Sequence, residues 1–312
     1  MLNEPMDILQ QFPIRKSRSQ KSAFRESIIS YVRKFGYHVT EEKVSFGGKN
    51  IVIGDPVNAK YLITAHYDTP ASIGLPNFIT PCNPIIFIVV QILLLSVFFL
   101  AAFAAALITG LLTDDFEIMF LAAYIAYFGL LALMMFGPAN RNNANDNTSG
   151  VVTVLEIAGA LPEELRDQVC FVLFDLEEAG LVGSSAYRKM HKKDTENQII
   201  LNLDCVGDGD EFVLFPTSKL RKDGRRMKVL EKLEFTEDGK KLWVRSKGFA
   251  YCPSDHKNFP YGVGIMAFHR KKVIGIYCDR IHTWRDTILD RKNVETLRDV
   301  ICNWLQSMEA AC

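Results

Sequence analysis

The sequence predicts an α/β fold: a three-layer α/β/α sandwich around a mostly parallel mixed sheet, plus an inserted two-helix transmembrane hairpin. Three observations predict it. Residues 168–175 and 198–204 are continuously apolar, as strands buried on both faces of a parallel sheet are. Segments with helical spacing alternate with these runs. Earlier in the chain, 43 of the 53 residues in 84–136 are hydrophobic, which is typical of a membrane segment.

The N-terminal part, residues 1–83, is predicted to supply a helix and the first strands of the sheet. Apolar residues in 18–35 recur with helical spacing, and the pattern stops at Gly36, a residue type common just after helix C-termini. Residues 60–66 form a short apolar run rich in β formers, which predicts a strand. We expect residues 51–54 to pair with that strand.

Residues 84–136 are predicted to form two membrane spans. The run 84–112 has 29 residues without a charge, and the run 116–136 has 21 residues with Glu117 at its edge. Each is long enough to cross about 30 Å of hydrocarbon as a helix. The link 113–115 is so short that the helices must form a tight hairpin, which places both flanks on one side of the membrane. A soluble buried hairpin or a re-entrant pair is the alternative.

The remainder of the soluble domain, residues 137–312, is predicted to alternate helices and strands. Residues 151–160 have helical composition and end before Pro162, and 178–191 have helical composition between the two buried strands. Residues 294–308 repeat apolar positions with the spacing of an amphipathic C-terminal helix.

Charge and cysteine content bear on location and partners. The chain has 36 basic and 36 acidic residues, so its net charge gives no reason to expect nucleic-acid binding. The hairpin tip has no Lys or Arg, whereas Arg141 and a basic arm at 15–18 flank the spans, which predicts a cytoplasm-facing domain. Seven cysteines without a CxxC pair indicate reduced thiols. Residues 1–83 are polar and mixed, so we expect no signal peptide.

A second basic stretch lies at 219–247, where eleven Lys or Arg residues outnumber five Asp or Glu residues. A solvated surface is the simpler interpretation. A face that rests on anionic lipid headgroups is the alternative, because the hairpin belongs to the same domain.

Side chains of the types that bind metals follow the predicted strands. His66 closes the run 60–66, Glu177 and Glu178 follow 168–175, and Asp204 ends 198–204. Ligands bind beyond the carboxyl ends of parallel strands. Two further stretches, NDNTSG at 145–150 and IHTW at 281–284, offer a carboxylate and an imidazole. A mixed His and carboxylate set suits zinc or a related divalent ion.

Each of these stretches has a structural interpretation when it is taken alone. A single His at a strand end is more often a hydrogen-bonded structural residue, and a pair of glutamates often begins a helix. Asn-Asp-Asn is also a common turn. The metal site is favoured because several separate strand ends carry ligand types together.

In this order and spacing, the stretches HYDT, NANDNTSGV, LFDLEEAGLVGSSAY, LNLDCVGDGD, SDHKNF and IHTWRDT resemble the M28 metallopeptidases, a family of co-catalytic dizinc aminopeptidases. The resemblance covers about residues 60–290 apart from the hairpin. Its motifs are specific in combination, since DNTSGV is followed 26 residues later by EEAGLVGS. The resemblance implies two Zn²⁺ ions as cofactors, with Co²⁺ or Mn²⁺ as alternatives, and a peptide as substrate.

The resemblance also implies a metal ligand set, which consists of His66, Asp146, Glu178, Asp204 and His282. His66 and Asp204 would hold one ion, Glu178 and His282 the other, and Asp146 would bridge both.

Two more carboxylates have implied catalytic roles. Glu177 would be the general base, and Asp68 would orient His66. His256 and Asp286 also match the family pattern, and we expect them to support loops and not to bind metal.

The position of the hairpin departs from the family pattern. Eighty positions separate His66 from Asp146, and typical members have only a short loop there. The hairpin is therefore tied at both ends to predicted ligands, which predicts an active site close to the bilayer. A membrane-associated or hydrophobic peptide is then the expected substrate. The alternative is that the hairpin only anchors the domain or forms oligomers.

Three functions are consistent with these observations. The first is a membrane-anchored dimetal aminopeptidase. The second is a glutaminyl-cyclase-like zinc acyltransferase, which uses a single zinc. The third is a non-catalytic membrane scaffold, against which the presence of Glu177 and all five ligands argues.

Overall fold

One mixed sheet forms the centre of the molecule. The computed structural model describes residues 2–72, 74–233, 240–245 and 247–309, in which nine strands form this sheet. The strands are β1 (Val39–Lys43), β2 (Lys49–Ile53), β3 (Tyr61–His66), β4 (Val169–Phe174), β5 (Ile199–Leu203), β6 (Glu211–Pro216), β7 (Lys241–Val244), β8 (Gly262–Lys271) and β9 (Gly275–Tyr277). Their order is β1-β2-β4-β3-β5-β8-β6-β7, and β9 pairs with β8. The central strands β4, β3, β5 and β8 are parallel neighbours.

Helices of the domain cover both faces of this sheet, and two further helices, the third and fourth in chain order, form the inserted hairpin. The helices are α1 (Ile8–Gln11), α2 (Arg18–Arg33), α3 (Pro84–Thr113), α4 (Phe116–Phe136), α5 (Gly150–Ala160), α6 (Val182–Met190), α7 (Ser218–Lys222), α8 (Gly224–Leu230) and α9 (Arg291–Glu309). Alternate side chains of a strand point to opposite faces. Phe171 and Leu173 of β4 accordingly pack with α2, α5 and α9, whereas Val172 and Phe174 pack with Tyr187 of α6. The predicted three-layer α/β fold is confirmed.

Two local predictions were wrong. β2 does not pair with β3, because β4 lies between them: β2 is antiparallel to β4, and β3 is parallel to both β4 and β5. The helix expected at 178–191 begins only at Val182. The preceding residues form a tight turn, in which the amides of Gly180 and Leu181 both donate to the carbonyl of Glu177.

The apolar block forms a hairpin of two helices that are each long and apolar enough to cross a membrane. The side chain of Asn83 caps the start of α3, and that of Asp115 caps the start of α4. Tyr127 of α4 contacts the rings of Phe98 and Phe99 of α3, so the helices pack against each other along their length. Both helices lie wholly within the described residues, and Phe98 is the one residue in them that is buried.

The two chain segments that lead to the hairpin are paired at its base. Ala71 forms an antiparallel bridge with Ala139. The amide of Ser72 donates to the carbonyl of Pro138 at 2.8 Å, and the amide of Asn140 donates to the carbonyl of Pro70 at 2.8 Å. The insertion therefore leaves and re-enters the domain at one place.

The six cysteines in the described part of the chain are all free, as a chain of reduced thiols requires. Cys312, the seventh, lies outside the described residues.

Candidate metal centre

The candidate site lies where the parallel strands end. His66 is the last residue of β3, Asp204 directly follows β5, and Glu177 and Glu178 lie in the turn after β4. Because parallel strands end at the same edge of the sheet, these side chains meet. Asp146 reaches the same place from the turn Ala144–Ser149 that precedes α5. His282 follows β9, where it has φ +60°.

Asp146 lies at the centre of the site. One of its carboxylate oxygens, Oδ1, is 3.3 Å from His66 Nε2, and the other, Oδ2, is 3.0 Å from His282 Nε2. His66 Nε2 is also 3.7 Å from Asp204 Oδ1, and His282 Nε2 is 3.8 Å from Glu178 Oε2. The five side chains therefore form two groups of donors, and Asp146 presents one oxygen to each.

The donor atoms fit divalent metal ions. Possible ligand atoms of His66, Glu177 and Asp204 lie within 4.8 Å of one another, as do those of His66, Asp146 and Glu178. His66 Nδ1 and Glu178 Oε1 are buried and have no hydrogen-bond partner, a state that is costly unless another group satisfies it. Imidazole nitrogens with carboxylate oxygens are the donors that zinc takes.

The electrostatics of the site couple its carboxylates to its histidines. Burial raises the pKa of Glu177 well above its usual range, and burial together with the Asp146 charge raises the pKa of Glu178 to about 8. Burial lowers the pKa of His282, but Glu178 and Asp146 outweigh it and raise that pKa to about 9. Buried carboxylates of this kind are suited to bind a cation, because metal ligands must be deprotonated when they bind.

Asp68 and Asp286 hold the backbone of the site and face the ligands. Asp68 accepts hydrogen bonds from the amides of Glu177 at 3.0 Å and Glu178 at 3.2 Å. Its Oδ1 is also 3.5 Å from His66 Nδ1, an ion-pair distance too long for a good hydrogen bond. Asp286 accepts from the amides of Asn145 at 2.7 Å and Asp146 at 3.0 Å.

His256, the other family-pattern residue, is fully buried. Its ring packs on the backbone of Gly264 in β8, where an added Cβ would lie 2.7 Å from the ring. Its place is consistent with support of the loop.

Sequence reasoning missed a chain of polar side chains that positions Asp204. The hydroxyl of Ser254 donates to Asp204 Oδ2 at 2.6 Å, and Asn202 Nδ2 donates to Ser254 Oγ at 2.8 Å. The hydroxyl of Thr64 in turn donates to Asn202 Oδ1 at 2.8 Å. A sequence signal existed, because Thr64 and Asn202 are polar residues inside otherwise apolar strands.

Sequence reasoning also missed Arg15, which is fully buried behind the site. Its Nε donates to the carbonyl of Tyr67 at 2.5 Å, and its amide donates to the hydroxyl of Thr69 at 2.8 Å. Burial lowers the pKa of Arg15 to about 10, so it remains a cation near Asp68 and Asp146. No pattern in the sequence distinguishes it from the rest of the basic arm.

A cavity of about 370 Å³ opens over the candidate ligands. Its floor is formed by the carboxylates and histidines, and its walls are mostly apolar. The apolar walls include Ile79, Phe87, Met266, Phe268 and Ile281. The cavity is large enough for a small organic molecule, and its floor places several polar groups at one point.

The family model of peptidase family M28 matches residues 132–306, more than half of the chain. The chain belongs to peptidase family M28. This match confirms the resemblance of the sequence motifs to that family. The hairpin is inserted into the M28 fold between His66 and Asp146. The family is one of peptidases, so a hydrolase is the coarse functional class of the chain.

Solved structures show the same fold at low sequence identity. A Zn-dependent exopeptidase from Parabacteroides distasonis is 16% identical, with a TM-score of 0.60 and 96% of each chain covered. The LapA aminopeptidase of Legionella pneumophila is 13% identical, with a TM-score of 0.58, and the match covers 98% of this chain and 71% of LapA. A glutaminyl cyclase from Macrostomum lignano is 15% identical, with a TM-score of 0.57 and coverage of 99% and 90%. No curated protein sequence is significantly similar to the chain.

Proposed function

We propose that the protein is a membrane-anchored dimetal aminopeptidase that hydrolyses the N-terminal residues of peptides. The observation that carries the proposal is the arrangement around Asp146, whose two oxygens face His66 and His282 separately. A carboxylate placed in this way is suited to bridge two ions. His66 and Asp204 would hold one Zn²⁺ ion, and Glu178 and His282 the other, with Co²⁺ or Mn²⁺ as substitutes.

The bound ions would polarise the scissile carbonyl and lower the pKa of water. Glu177 stands outside the proposed ligand set, but its carboxylate lies within 4.8 Å of possible ligand atoms of His66 and Asp204. It is therefore placed to take a proton from the attacking water and deliver it to the leaving amine. Asp68 holds the amides of Glu177 and Glu178 while it faces His66, so it fixes the base relative to the ligands.

Glu177→Gln tests this assignment. The substitution keeps the shape of the side chain but removes the base, so we expect hydrolysis to fall at least about 100-fold while the bound metal is retained. The measurement is peptide hydrolysis together with metal analysis of the same preparation. Peptides with a free N-terminus should be cleaved, and N-acetylated ones should not.

Glu164→Gln is the matched control for that variant, because Glu164 is exposed and lies before β4, whereas Glu177 follows the other end of that strand. It should change neither activity nor metal content. Full activity of Glu177→Gln would contradict the proposed mechanism, and cleavage of acetylated peptides at the same rate would contradict exopeptidase chemistry.

A glutaminyl-cyclase-like acyltransferase is the second candidate, which the fold shared with the Macrostomum lignano enzyme supports. It needs a single zinc. One bound zinc per chain and cyclisation of peptides with N-terminal glutamine would favour it, whereas two bound ions would favour the aminopeptidase.

We infer that the chain is an integral membrane protein with two spans, α3 and α4, and that its domain faces the cytoplasm. The domain comprises residues 1–83 and 137–312, and 84–136 are the anchor. The acidic tip, without Lys or Arg, supports this orientation. Because the hairpin leaves nearly all of its apolar side chains exposed, we expect its partner to be the bilayer, and it offers a surface for oligomers.

Asp114→Cys, at the tip, and Lys60→Cys, on the domain, test the orientation. Both positions are exposed. In intact cells a membrane-impermeant thiol reagent should label Asp114→Cys, and it should label Lys60→Cys only after permeabilisation. The reverse pattern would place the domain outside the cytoplasm.

A further inference from the structure

Two cavities meet at the start of α3. The first, of about 370 Å³, lies over the candidate metal centre, and the second, of about 330 Å³, lies between α3 and the segment 75–79 and reaches Met134 of α4. Four residues line both cavities: Asn77, Ile79, Phe87 and Gln91. The space over the ligands and the second cavity therefore adjoin at these four residues.

One face of α3 forms a continuous wall of the two cavities. Phe87, Val90, Gln91, Leu94 and Val97 recur with the spacing of a single helix face and line one cavity or both. From Phe87 to Val97 this wall extends roughly 15 Å along the helix axis. The second cavity thus leads from the metal centre along the hairpin.

The packing of the hairpin shows where the second cavity lies relative to the bilayer. Met119 packs on Gly110, and Tyr127 packs on Phe98 and Phe99, so the end of α4 at residue 136 lies level with about residue 90 of α3. A helix of 21 residues spans about 30 Å, the thickness of the hydrocarbon. When α4 spans the bilayer, Phe87 lies at the boundary of the hydrocarbon and Val97 lies inside it.

The second cavity opens toward the lipid. Leu93 and Val97, which line it, are 62% and 42% exposed. A molecule in the bilayer is therefore able to reach this cavity from the side of the hairpin.

The chemistry of the second cavity selects a hydrocarbon chain. Among the described lining residues, Asn77 and Gln91 are the polar ones, and Asn77 Nδ2 already donates to the carbonyl of Ile281 at 3.0 Å. A peptide backbone in this space would leave several amide and carbonyl groups without partners, each at a cost of a few kcal/mol. A hydrocarbon chain has no such groups.

We propose that the second cavity binds the hydrocarbon chain of an amide substrate whose scissile bond lies at the metal centre, so that the substrate enters from the bilayer. The inference rests on the proposed amide-hydrolysing function and names its substrate class: an amide with a free amine and a long alkyl or acyl chain within one residue of the scissile bond. An extended chain advances roughly 1.2 Å per bond, so about a dozen carbons fill the length of the wall.

The test uses the full-length protein in phosphatidylcholine vesicles and two series of amides. One series carries alkyl chains of rising length on the leaving amine of an amino-acid amide, and the other carries them on the amino acid whose carbonyl is attacked. We expect kcat/KM in at least one series to rise 10-fold or more from a four-carbon to a twelve-carbon chain. Leu94→Trp, which fills the second cavity, should reduce this ratio at least 10-fold.

Leu95→Trp is the matched control. Leu95 is the next residue of α3, is 43% exposed and does not line the cavity, so its substitution should preserve the ratio. Partitioning of long chains into the vesicles is the same for both variants, so it does not contribute to the difference between them.

Two outcomes would overturn the inference. The first is hydrolysis of short amides without dependence on chain length in either series, which leaves the proposed function intact. The second is an equal ratio in Leu94→Trp and Leu95→Trp, which includes the case in which Leu94→Trp lowers kcat/KM equally for short and long chains. If no free-amine amide of any length is cleaved, the proposed function fails as well.

Discussion

The hairpin and the domain that carries it use apolar residues in opposite ways. In the domain, apolar side chains of the central strands are buried on both faces of the sheet. In the hairpin, α4 has no buried residue and α3 has one, Phe98, although both helices are almost uniformly apolar. The domain therefore makes its own core, whereas the hairpin leaves its apolar surface exposed.

The hairpin and the domain are coupled through few contacts. The first turns of α3 contact the domain through Asn83, which donates to the carbonyl of Ile274, and through Phe87, whose ring packs on Tyr251 and Phe249. The remaining described residues of the hairpin mainly contact each other. The core of the domain does not depend on the hairpin, but one wall of the metal-centre cavity does.

The largest effect is expected from removal of the hairpin. Replacing residues 84–136 by a short Gly/Ser linker between Asn83 and Gly137 should move the protein from the membrane to the soluble fraction. Because the sheet and its helices bury their own core, the domain should still unfold cooperatively and bind metal. The lost ring contacts of Phe87 should lower the free energy of unfolding by only about 1–2 kcal/mol.

Fractionation, thermal unfolding and metal analysis of the deletion variant provide the measurements, with the full-length chain in detergent as the reference. Aggregation of the variant, or loss of its metal, would show that the domain and the hairpin share a core. The comparison between the two regions would then be wrong.

The same contrast explains which features the sequence predicts. The hairpin is predictable residue by residue, because its structure depends on a local property, the length of an apolar run. The candidate ligands are predictable from their places at strand ends and from a family pattern. The two oxygens of Asp146 face different histidines. This arrangement cannot be predicted from the spacing of residues in the sequence.

Long-range pairing accounts for the remaining differences. Sequential strands are often neighbours, which favours pairing of β2 with β3. In the structure β4 lies between them, although 115 residues, including the hairpin, separate β2 from β4 in the chain. Arg15 has the composition of a solvated arm, and it is buried only because the loops after β3 close around it. Contacts of this kind depend on the assembled sheet and are invisible in a local pattern.

A smaller effect is expected at the site itself, where two aspartates with the same local bonds allow a direct comparison. Asp68 accepts the amides of Glu177 and Glu178, and Asp115 at the hairpin tip accepts the amides of Glu117 and Ile118. Asp68 is 4% exposed, whereas Asp115 is exposed. Each therefore holds two consecutive amides, but only Asp68 also faces a candidate ligand, His66.

Asp68→Asn should accordingly lower metal affinity and kcat/KM by about 10- to 100-fold, because the amide NH₂ meets backbone N–H groups and no longer fixes the imidazole. Asp115→Asn should leave both quantities unchanged, since Asn caps a helix about as well as Asp does. Metal titration and peptide hydrolysis of the two variants are the measurements. If Asp68→Asn and Asp115→Asn both left metal affinity and kcat/KM unchanged, Asp68 would only cap a turn. The position of Glu177 would then not depend on the Asp68 carboxylate.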